Sequence, residues 1–237
     1  MGKFAVVLPA AGKSSRFGDP FTKKVYANID SKPVWMYAAE AFAKRADVAQ
    51  IILVISPEDK EMFNEKFSGN AAMLGIQPVL GGKERADSVL NGLAAVNDGV
   101  PFVAVHDAAR PCIADAWIDA VFETAQKTQA AILAVPCTST LKRVDEQQQI
   151  VKTESREQLW LAQTPQVFAT ELLSKAYTAS ENVASATDEA SLVEALGQPV
   201  AVVQGSPMNI KVTSKSDLRF AELALKALPK PKAFPFG

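Results

Sequence analysis

A chain of 237 residues with 48% hydrophobic and 22% charged side chains is long enough to bury a full core and too apolar to remain disordered. Its formal net charge of -1 sets up no overall field toward nucleic acid or an anionic membrane, so neither is expected as a partner. Two cysteines, Cys112 and Cys137, cannot build a disulfide framework, and with His106 the single histidine no Cys/His zinc cluster can assemble. The apolar run Phe4–Leu8 before Pro9 is shorter than the roughly 7–15 residues of a secretory segment or the roughly 20 of a membrane span. A cytoplasmic, reducing setting is the expectation.

Taken in chain order, the Val/Ile-rich runs Phe4–Leu8, Gln50–Ile55, Gln77–Leu80, Phe102–Val105 and Ala131–Val135 lack polar alternation and read as buried strands. Helical periodicity fills the gaps over Val34–Arg45, Glu58–Phe67, Arg85–Val96 and Asp115–Lys127. Trp35, Ala38, Ala39 and Phe42 share one apolar face of the first helix. This alternation predicts an α/β fold, a Rossmann-like and mostly parallel sheet with helices on both faces. From Thr138 to Trp160 the pattern changes. Leu141–Val144 and Ile150–Thr153 flank a polar turn and predict a solvated β-hairpin, which protrudes as an arm over residues 138–160. A lone hairpin is marginal in water, so the arm is expected to pack on a second subunit. Helices over Thr170–Ala179 and Asp188–Leu196, a strand at Val200–Val203 and a helix over Ser216–Leu228 follow. The Pro-rich tail 229–237 cannot continue a helix and is expected to be mobile. With no internal repeat or interdomain linker, residues 1–237 read as a single domain with an arm.

The first strand runs into Pro9-Ala10-Ala11-Gly12-Lys13-Ser14-Ser15-Arg16. Small residues after a first strand let the backbone approach a ligand and turn its amides toward phosphate oxygens. Neither the dinucleotide fingerprint nor the P-loop spacing is present. Taken alone, such a turn is as easily structural as functional. The cations tip the balance: the first 24 residues carry Lys3, Lys13, Arg16, Lys23 and Lys24 against Asp19 alone, a patch suited to a small polyanion.

Pro-Ala-Ala-Gly with Arg16 four residues on, followed by Lys24-Val25-Tyr26, resembles the signature of nucleotidyltransferases that activate sugars and sugar alcohols. Further motifs narrow the resemblance. Gly81-Gly82-Lys83-Glu84-Arg85-Ala86-Asp87-Ser88-Val89, by itself an ordinary glycine turn entering a helix, is similar to the pyrimidine-contacting stretch of the 2-C-methyl-D-erythritol 4-phosphate cytidylyltransferase family. His106-Asp107-Ala108-Ala109-Arg110-Pro111, Leu161-Ala162-Gln163-Thr164-Pro165, Thr187-Asp188-Glu189-Ala190 and Asn209-Ile210-Lys211-Val212-Thr213 follow in that family's order. Two positions depart from it. Ser14 stands where the loop often carries glycine, and Met208 stands where some members have an aspartate that assists the metal.

The resemblance implies CMP transfer from CTP to a sugar-alcohol phosphate in a Mg²⁺-dependent homodimer. Arg16, Lys24, Lys211 and Arg156 would be its catalytic cations, and Pro9, Ala10, Ala11, Gly12, Gly81, Gly82, Asp87 and Ser88 its nucleotide site. The acceptor would meet Asp107, Arg110, Thr140, Arg156, Thr164, Thr187 and Lys211, with the threonines and arginine of the arm crossing to the partner subunit. The family's arginine-aspartate pair, at Arg85 and Asp87, is largely structural. Asp107, at a strand's carboxyl end beside the loop, is the expected Mg²⁺ ligand, since that ion takes one or two carboxylates with phosphates and water. His106 reads as a hydrogen-bonded support rather than an acid or base. The nearest alternative acceptor is ribitol 5-phosphate. A nucleotide-binding subunit without catalysis would have lost one of the four cationic or acidic residues Arg16, Lys24, Asp107 and Lys211, and all are present.

Overall fold

Strand β1 (Phe4–Pro9) sits near the middle of a seven-stranded sheet because it is apolar on both faces. Phe4, Val6 and Leu8 enter one core and Val7 the other, the period-two division a twice-covered strand requires. The computed structural model describes residues 2–19, 21–180, 182–183 and 186–229. After β1 come a short ribbon of β2 (Asn28–Ile29) and β3 (Lys32–Pro33), then α1 (Val34–Ala43), β4 (Val48–Ile55), α2 (Lys60–Met73) and β5 (Ile76–Leu80). The chain continues through α3 (Arg85–Ala94), β6 (Phe102–Val105), α4 (Asp115–Thr128) and β7 (Ala130–Pro136). It ends with β8 (Leu141–Val144), β9 (Ile150–Glu154), β10 (Trp160–Ala169), α5 (Thr170–Ala179), α6 (Glu189–Ala195), β11 (Ala201–Gln204) and α7 (Lys215–Ala227).

The sheet order is β11-β7-β10-β6-β1-β4-β5. Every pairing is parallel except those of β10, which runs antiparallel to both β6 and β7. One face carries α1, α2 and α4, whose Trp35, Phe42, Phe63, Ile118 and Phe122 share one core cluster with Phe4, Val6 and Leu8 of β1; the Phe4 and Phe122 rings stack with centroids 3.8 Å apart. The opposite face carries α3, α5 and α6 through Val89, Leu93, Leu173 and Val193. Burial of each such side chain contributes roughly 1.5–3 kcal/mol. A third cluster joins α7 to the first loop: Ala221 and Ala224 pack with Phe17, Ile29 and Val212. The carboxyl ends of β1, β4, β5 and β6 therefore open on the loops starting at Ala10, Ser56, Gly81 and His106, where an open α/β sheet holds its ligand.

The mostly parallel sheet and the hairpin agree with expectation. Strand β10 was not anticipated, because buried Gln163, Thr164 and Gln166 interrupt its apolar run and Pro165 argues against a central strand. Its register shifts between Ala162 and Gln166, where that proline lies. Helix α2 passes the expected end at Phe67 and reaches Met73, continuing through the weak helix formers Ser68, Gly69 and Asn70. The arm is a separate two-stranded sheet with Leu141 opposite Glu154. Of the expected tail, Lys230–Gly237 lie outside the described residues.

Candidate active site

The loop after β1 is pinned at several points. Ala10 donates its amide to the Val54 carbonyl at 2.7 Å, and Phe17 is buried against the α7 cluster. Ser14 adopts a left-handed backbone with φ 56°, a conformation that disfavours side chains. Its hydroxyl accepts from the Lys24 amide at 3.2 Å and donates to the Gly12 carbonyl at 3.4 Å, tying the loop to the segment that bears Lys24. Arg16 is exposed and Lys24 half-buried. Burial lowers the Lys24 pKa; repulsion from Lys211, Arg16 and Arg110 adds to this and attraction to Asp107 opposes it.

The second loop packs directly on the first. Gly81 donates its amide to Ile55 at 2.7 Å, and a Cβ there would lie 2.7 Å from both Ala11 Cβ and Ser88 Oγ. A Cβ on Gly82 would lie 2.3 Å from Asp87 Cβ. Only glycine permits this approach at either position. Ser88 Oγ accepts from the Gly82 amide at 3.1 Å and donates to the Glu84 carbonyl at 3.0 Å, so its hydrogen is spent and a lone pair remains. Asp87 accepts from the Glu84 amide at 3.0 Å and closes the start of α3. Its carboxylate is not paired with Arg85, as the resemblance had implied; Arg85 instead grips Glu189 with two bonds of 2.6 and 3.0 Å.

Asp107 lies at the floor between these loops, its side chain 9% exposed. Lys211 Nζ stands 2.8 Å and Arg110 Nε 3.3 Å from its Oδ2, while Arg85 Nη2 stands 3.6 Å from its Oδ1. Burial alone would raise this carboxyl, but Lys211, Arg85 and Arg110 together hold it well below the usual carboxylate range. Beneath it, fully buried His106 completes a hydrogen-bond chain. Its Nε2 meets the Arg110 carbonyl at 3.0 Å, and a carbonyl only accepts, so the ring proton resides there. Nδ1 therefore accepts from the Thr164 hydroxyl at 3.1 Å, and that oxygen accepts the Asp107 amide at 3.1 Å. Burial pushes the imidazole down to about 4, so it is neutral at physiological pH.

One cleft of about 730 Å³ collects most of the expected residues: Pro9 to Gly12, Arg16 and Lys24 on one wall, Gly81, Gly82 and Ser88 on another, Asp107 and Lys211 at the floor. Asp87 stays behind its helix turn. Arg110 is tied inward, donating Nη1 to the Asn209 carbonyl at 2.7 Å, and does not line the cleft. Thr164, expected to bind the acceptor, is buried with its hydroxyl committed to Asp107 and His106; its place is under the site rather than in it. Thr140 and Arg156 are exposed on the arm, where Arg156 donates to the Thr138 carbonyl, and exposed Thr187 precedes α6; none of the three lines this cleft. Sequence reasoning missed two contributors, the latch of Ser14 and the placement of Arg85 on the cleft wall. Glu189, in a motif already noted, was the available signal for the second.

The family model described as 2-C-methyl-D-erythritol 4-phosphate cytidylyltransferase matches residues 4–227. Proteins of that name from Desulforamulus reducens and Rhodopirellula baltica are each 40% identical, over 228 and 232 residues; the alignments cover 95% and 93% of this chain and 97% and 94% of theirs. Solved structures of that name from Thermus thermophilus and Francisella tularensis superpose with TM-scores of 0.78 and 0.80 at 32% and 33% identity. They cover 95% and 94% of this chain and the whole of each relative. Matched in sequence and fold along nearly its whole length, the chain belongs to the 2-C-methyl-D-erythritol 4-phosphate cytidylyltransferase family.

Proposed function

We propose a division of labour among the cleft residues for the family's reaction. As a member of that family the chain transfers CMP from CTP to 2-C-methyl-D-erythritol 4-phosphate, giving 4-diphosphocytidyl-2-C-methyl-D-erythritol and pyrophosphate in isoprenoid precursor synthesis. The observation that carries the assignment of roles is the convergence of Arg16, Lys24 and Lys211 on a cleft between two tightly packed small-residue loops.

The triphosphate lies over Pro9 to Gly12, whose backbone can approach it closely. Cytosine lies toward Gly81, Gly82 and Ser88. The remaining lone pair of Ser88 Oγ suits the exocyclic amino group of cytosine and repels the carbonyl oxygen that uracil carries there. The acceptor's phosphate oxygen attacks the α-phosphorus in line; a new P–O bond forms, the bond to the β-phosphate oxygen breaks, and pyrophosphate leaves. The attacking phosphate has a second pKa of about 6, so no general base is required. Buried His106 is accordingly free to be structural. Arg16, Lys24 and Lys211 neutralise charge on the five-coordinate phosphorus and the leaving group, the main contribution a protein makes to such transfers.

Mg²⁺ fits this site through one protein ligand. Asp107 Oδ2 is occupied by Lys211 and Arg110, whereas Oδ1 has only Arg85 at 3.6 Å, and among the described residues no group of three or more His, Cys, Asp or Glu could enclose a metal. A single carboxylate with phosphates and water is a common Mg²⁺ environment. When bound, the ion would offset charge on the triphosphate.

Thr140 and Arg156 serve the acceptor of a second copy, in a homodimer formed through the arm. Val144, Ile150, Val151, Trp160 and Leu161 are exposed on or beside it and support that reading. Unpaired Cys112 and Cys137 suit a reducing cytoplasm, and no helix among the described residues is long and apolar enough to cross a membrane.

Pyrophosphate release tests the reading directly, with CTP, UTP, GTP and ATP offered against methylerythritol 4-phosphate and ribitol 5-phosphate in Mg²⁺. Release with CTP and methylerythritol phosphate alone is expected. Preference for ribitol phosphate would overturn the acceptor assignment, and silence from folded, CTP-binding protein would overturn catalysis.

A further inference from the structure

Glu189, the first residue of α6, is 1% exposed, a position where an ionised carboxylate is costly unless fully paired. Its partners are complete: Arg85 Nη1 at 2.6 Å from Oε1, Arg85 Nη2 at 3.0 Å from Oε2, and the Tyr177 hydroxyl at 3.3 Å. The start of α6 is itself clamped to the sheet. Gln166 of β10 donates to Asp188 Oδ2 at 2.8 Å and accepts the Ala190 amide at 3.0 Å. Glu189 is thus a fixed carboxylate holding a planar fork.

The fork's other side is not buried. The Arg85 side chain is 33% exposed and lines the cleft. Nη2 carries two hydrogens; while it meets Glu189 Oε2, it also stands 3.6 Å from Asp107 Oδ1. A pair needed only for packing gains nothing from this exposure, since apolar residues of similar volume often replace buried ion pairs without loss of stability. We propose that Arg85 and Glu189 are a positioning pair for CMP transfer: Glu189 orients the guanidinium, and Arg85, 3.6 Å from Oδ1, holds the Asp107 carboxylate from turning while leaving that oxygen open to a metal. Asp107 then engages Lys211 through Oδ2 alone. With Arg85 removed, Asp107 can turn to hold the Lys211 ammonium between both oxygens, drawing it from the transferring phosphates. The inference rests on the assignment of the cleft to CMP transfer and adds two residues, one on the wall and one behind it, to its working parts.

The test uses the full-length protein with two variants, Arg85→Lys and the double variant Arg85→Met/Glu189→Met. Wild type assayed alongside separates the two readings, because an inactive wild type would count against the cleft assignment itself. Melting temperature, calorimetric CTP affinity, kcat and KM are measured for each. The double variant is expected to melt within a few degrees of wild type and bind CTP within about threefold, yet lose about tenfold or more in kcat. Arg85→Lys keeps the charge but cannot fork, and is expected to lose kcat to a similar degree with CTP affinity unchanged. Wild-type stability with kcat within about twofold of wild type in the double variant would make the pair structural only, as would a loss wholly accounted for by weaker CTP binding. If the double variant does not fold, Arg85→Lys decides: kcat within about twofold of wild type overturns the proposal, and a tenfold loss at unchanged CTP affinity supports it.

Discussion

The Lys211 ammonium lies 2.8 Å from Oδ2 of Asp107, so the lysine proposed to neutralise charge on the five-coordinate phosphorus is anchored by the buried carboxylate at the cleft floor. Lys211 is about one-third exposed while Asp107 is almost covered, which makes the acid the fixed member and the lysine the one that reaches. Residues that act as a unit are not additive in their loss. Asp107→Asn and Lys211→Met are each expected to lower kcat about 100-fold, comparable to removing an oxyanion donor. The double variant should fall little further. Losses that multiply in the double variant would mean the two residues act separately.

His106 predicts a pH dependence of stability. Its folded pKa is depressed to about 4 by burial, below an unfolded value near 6.5. The unfolded chain therefore takes up the proton first as pH falls, so the stabilisation is whole above about pH 6.5 and is lost progressively down to about pH 4. The full loss is on the order of 3 kcal/mol. Depressed carboxyls such as Asp107, Asp217 and Glu154 add losses of the same sign, but only as pH falls below the ordinary carboxylate values. Denaturant unfolding between pH 7 and 5 should show the slope in wild type and a much flatter profile in His106→Gln. With a single histidine, one nitrogen-15 spectrum at pH 6 checks the cause: the neutral Nε2–H tautomer is expected, and a charged or Nδ1–H ring would refute the chain from Asp107 to Arg110.

Two loop glycines should separate packing from ligand contact. At Gly82 a Cβ would strike Asp87 Cβ at 2.3 Å, whereas at Gly12 it would meet nothing within 4 Å. Gly82→Ala is therefore expected to destabilise the fold by roughly 1–3 kcal/mol and to raise the CTP KM about tenfold. Gly12→Ala should leave stability within about 0.5 kcal/mol of wild type and still weaken CTP, because the methyl would crowd the backbone that the proposed triphosphate approaches. Thermal melts with CTP titration decide both, and an unaltered CTP affinity in Gly12→Ala would remove that residue from the nucleotide site.

How far the sequence disclosed this site depended on whether a residue's role was local. The loops after β1 and β5 were legible as turns of close backbone approach, because small residues next to a strand end free the backbone, but their ligand role emerged only with the nearby cations and the family motifs. The sheet's parallel body was equally legible from apolar runs such as Phe102–Val105, buried on both faces. Strand β10 was hidden because its buried polar residues serve distant partners: Gln166 clamps α6, and Thr164 supports Asp107. Arg85 carried no local mark of its position either. Glu189, on the same face of the sheet but 104 residues along the chain, holds it there, and a contact over that sequence separation leaves no period or spacing to read. The family motifs pointed to residues in and around the cleft; the division between those that line it and those that lie beneath or beyond it needed three-dimensional contacts.

The arm supplies the sharpest test of assembly. Thr140 and Arg156 are exposed and do not line the cleft formed by their own chain, and the arm's neighbourhood presents Ile150 at 64% and Leu161 at 56% exposure. If the arm serves a second copy through a two-fold contact, each cleft is completed by the other chain. A chain with Lys24→Ala keeps a sound arm over a defective cleft, while a chain with Arg156→Ala keeps a sound cleft and carries a defective arm. Each alone should be nearly inactive. Mixed and allowed to exchange, half the dimers would be hybrids, and in each hybrid the Arg156→Ala cleft would receive a sound arm while the other cleft would be doubly defective. Activity should therefore return to about a quarter of wild type. If the arm works on its own chain, no cleft in the mixture is whole and nothing returns. Sedimentation of Leu161→Glu gives the independent check: a buried carboxylate at the contact should yield monomers, and monomers that retain full activity would exclude the arm from the acceptor site.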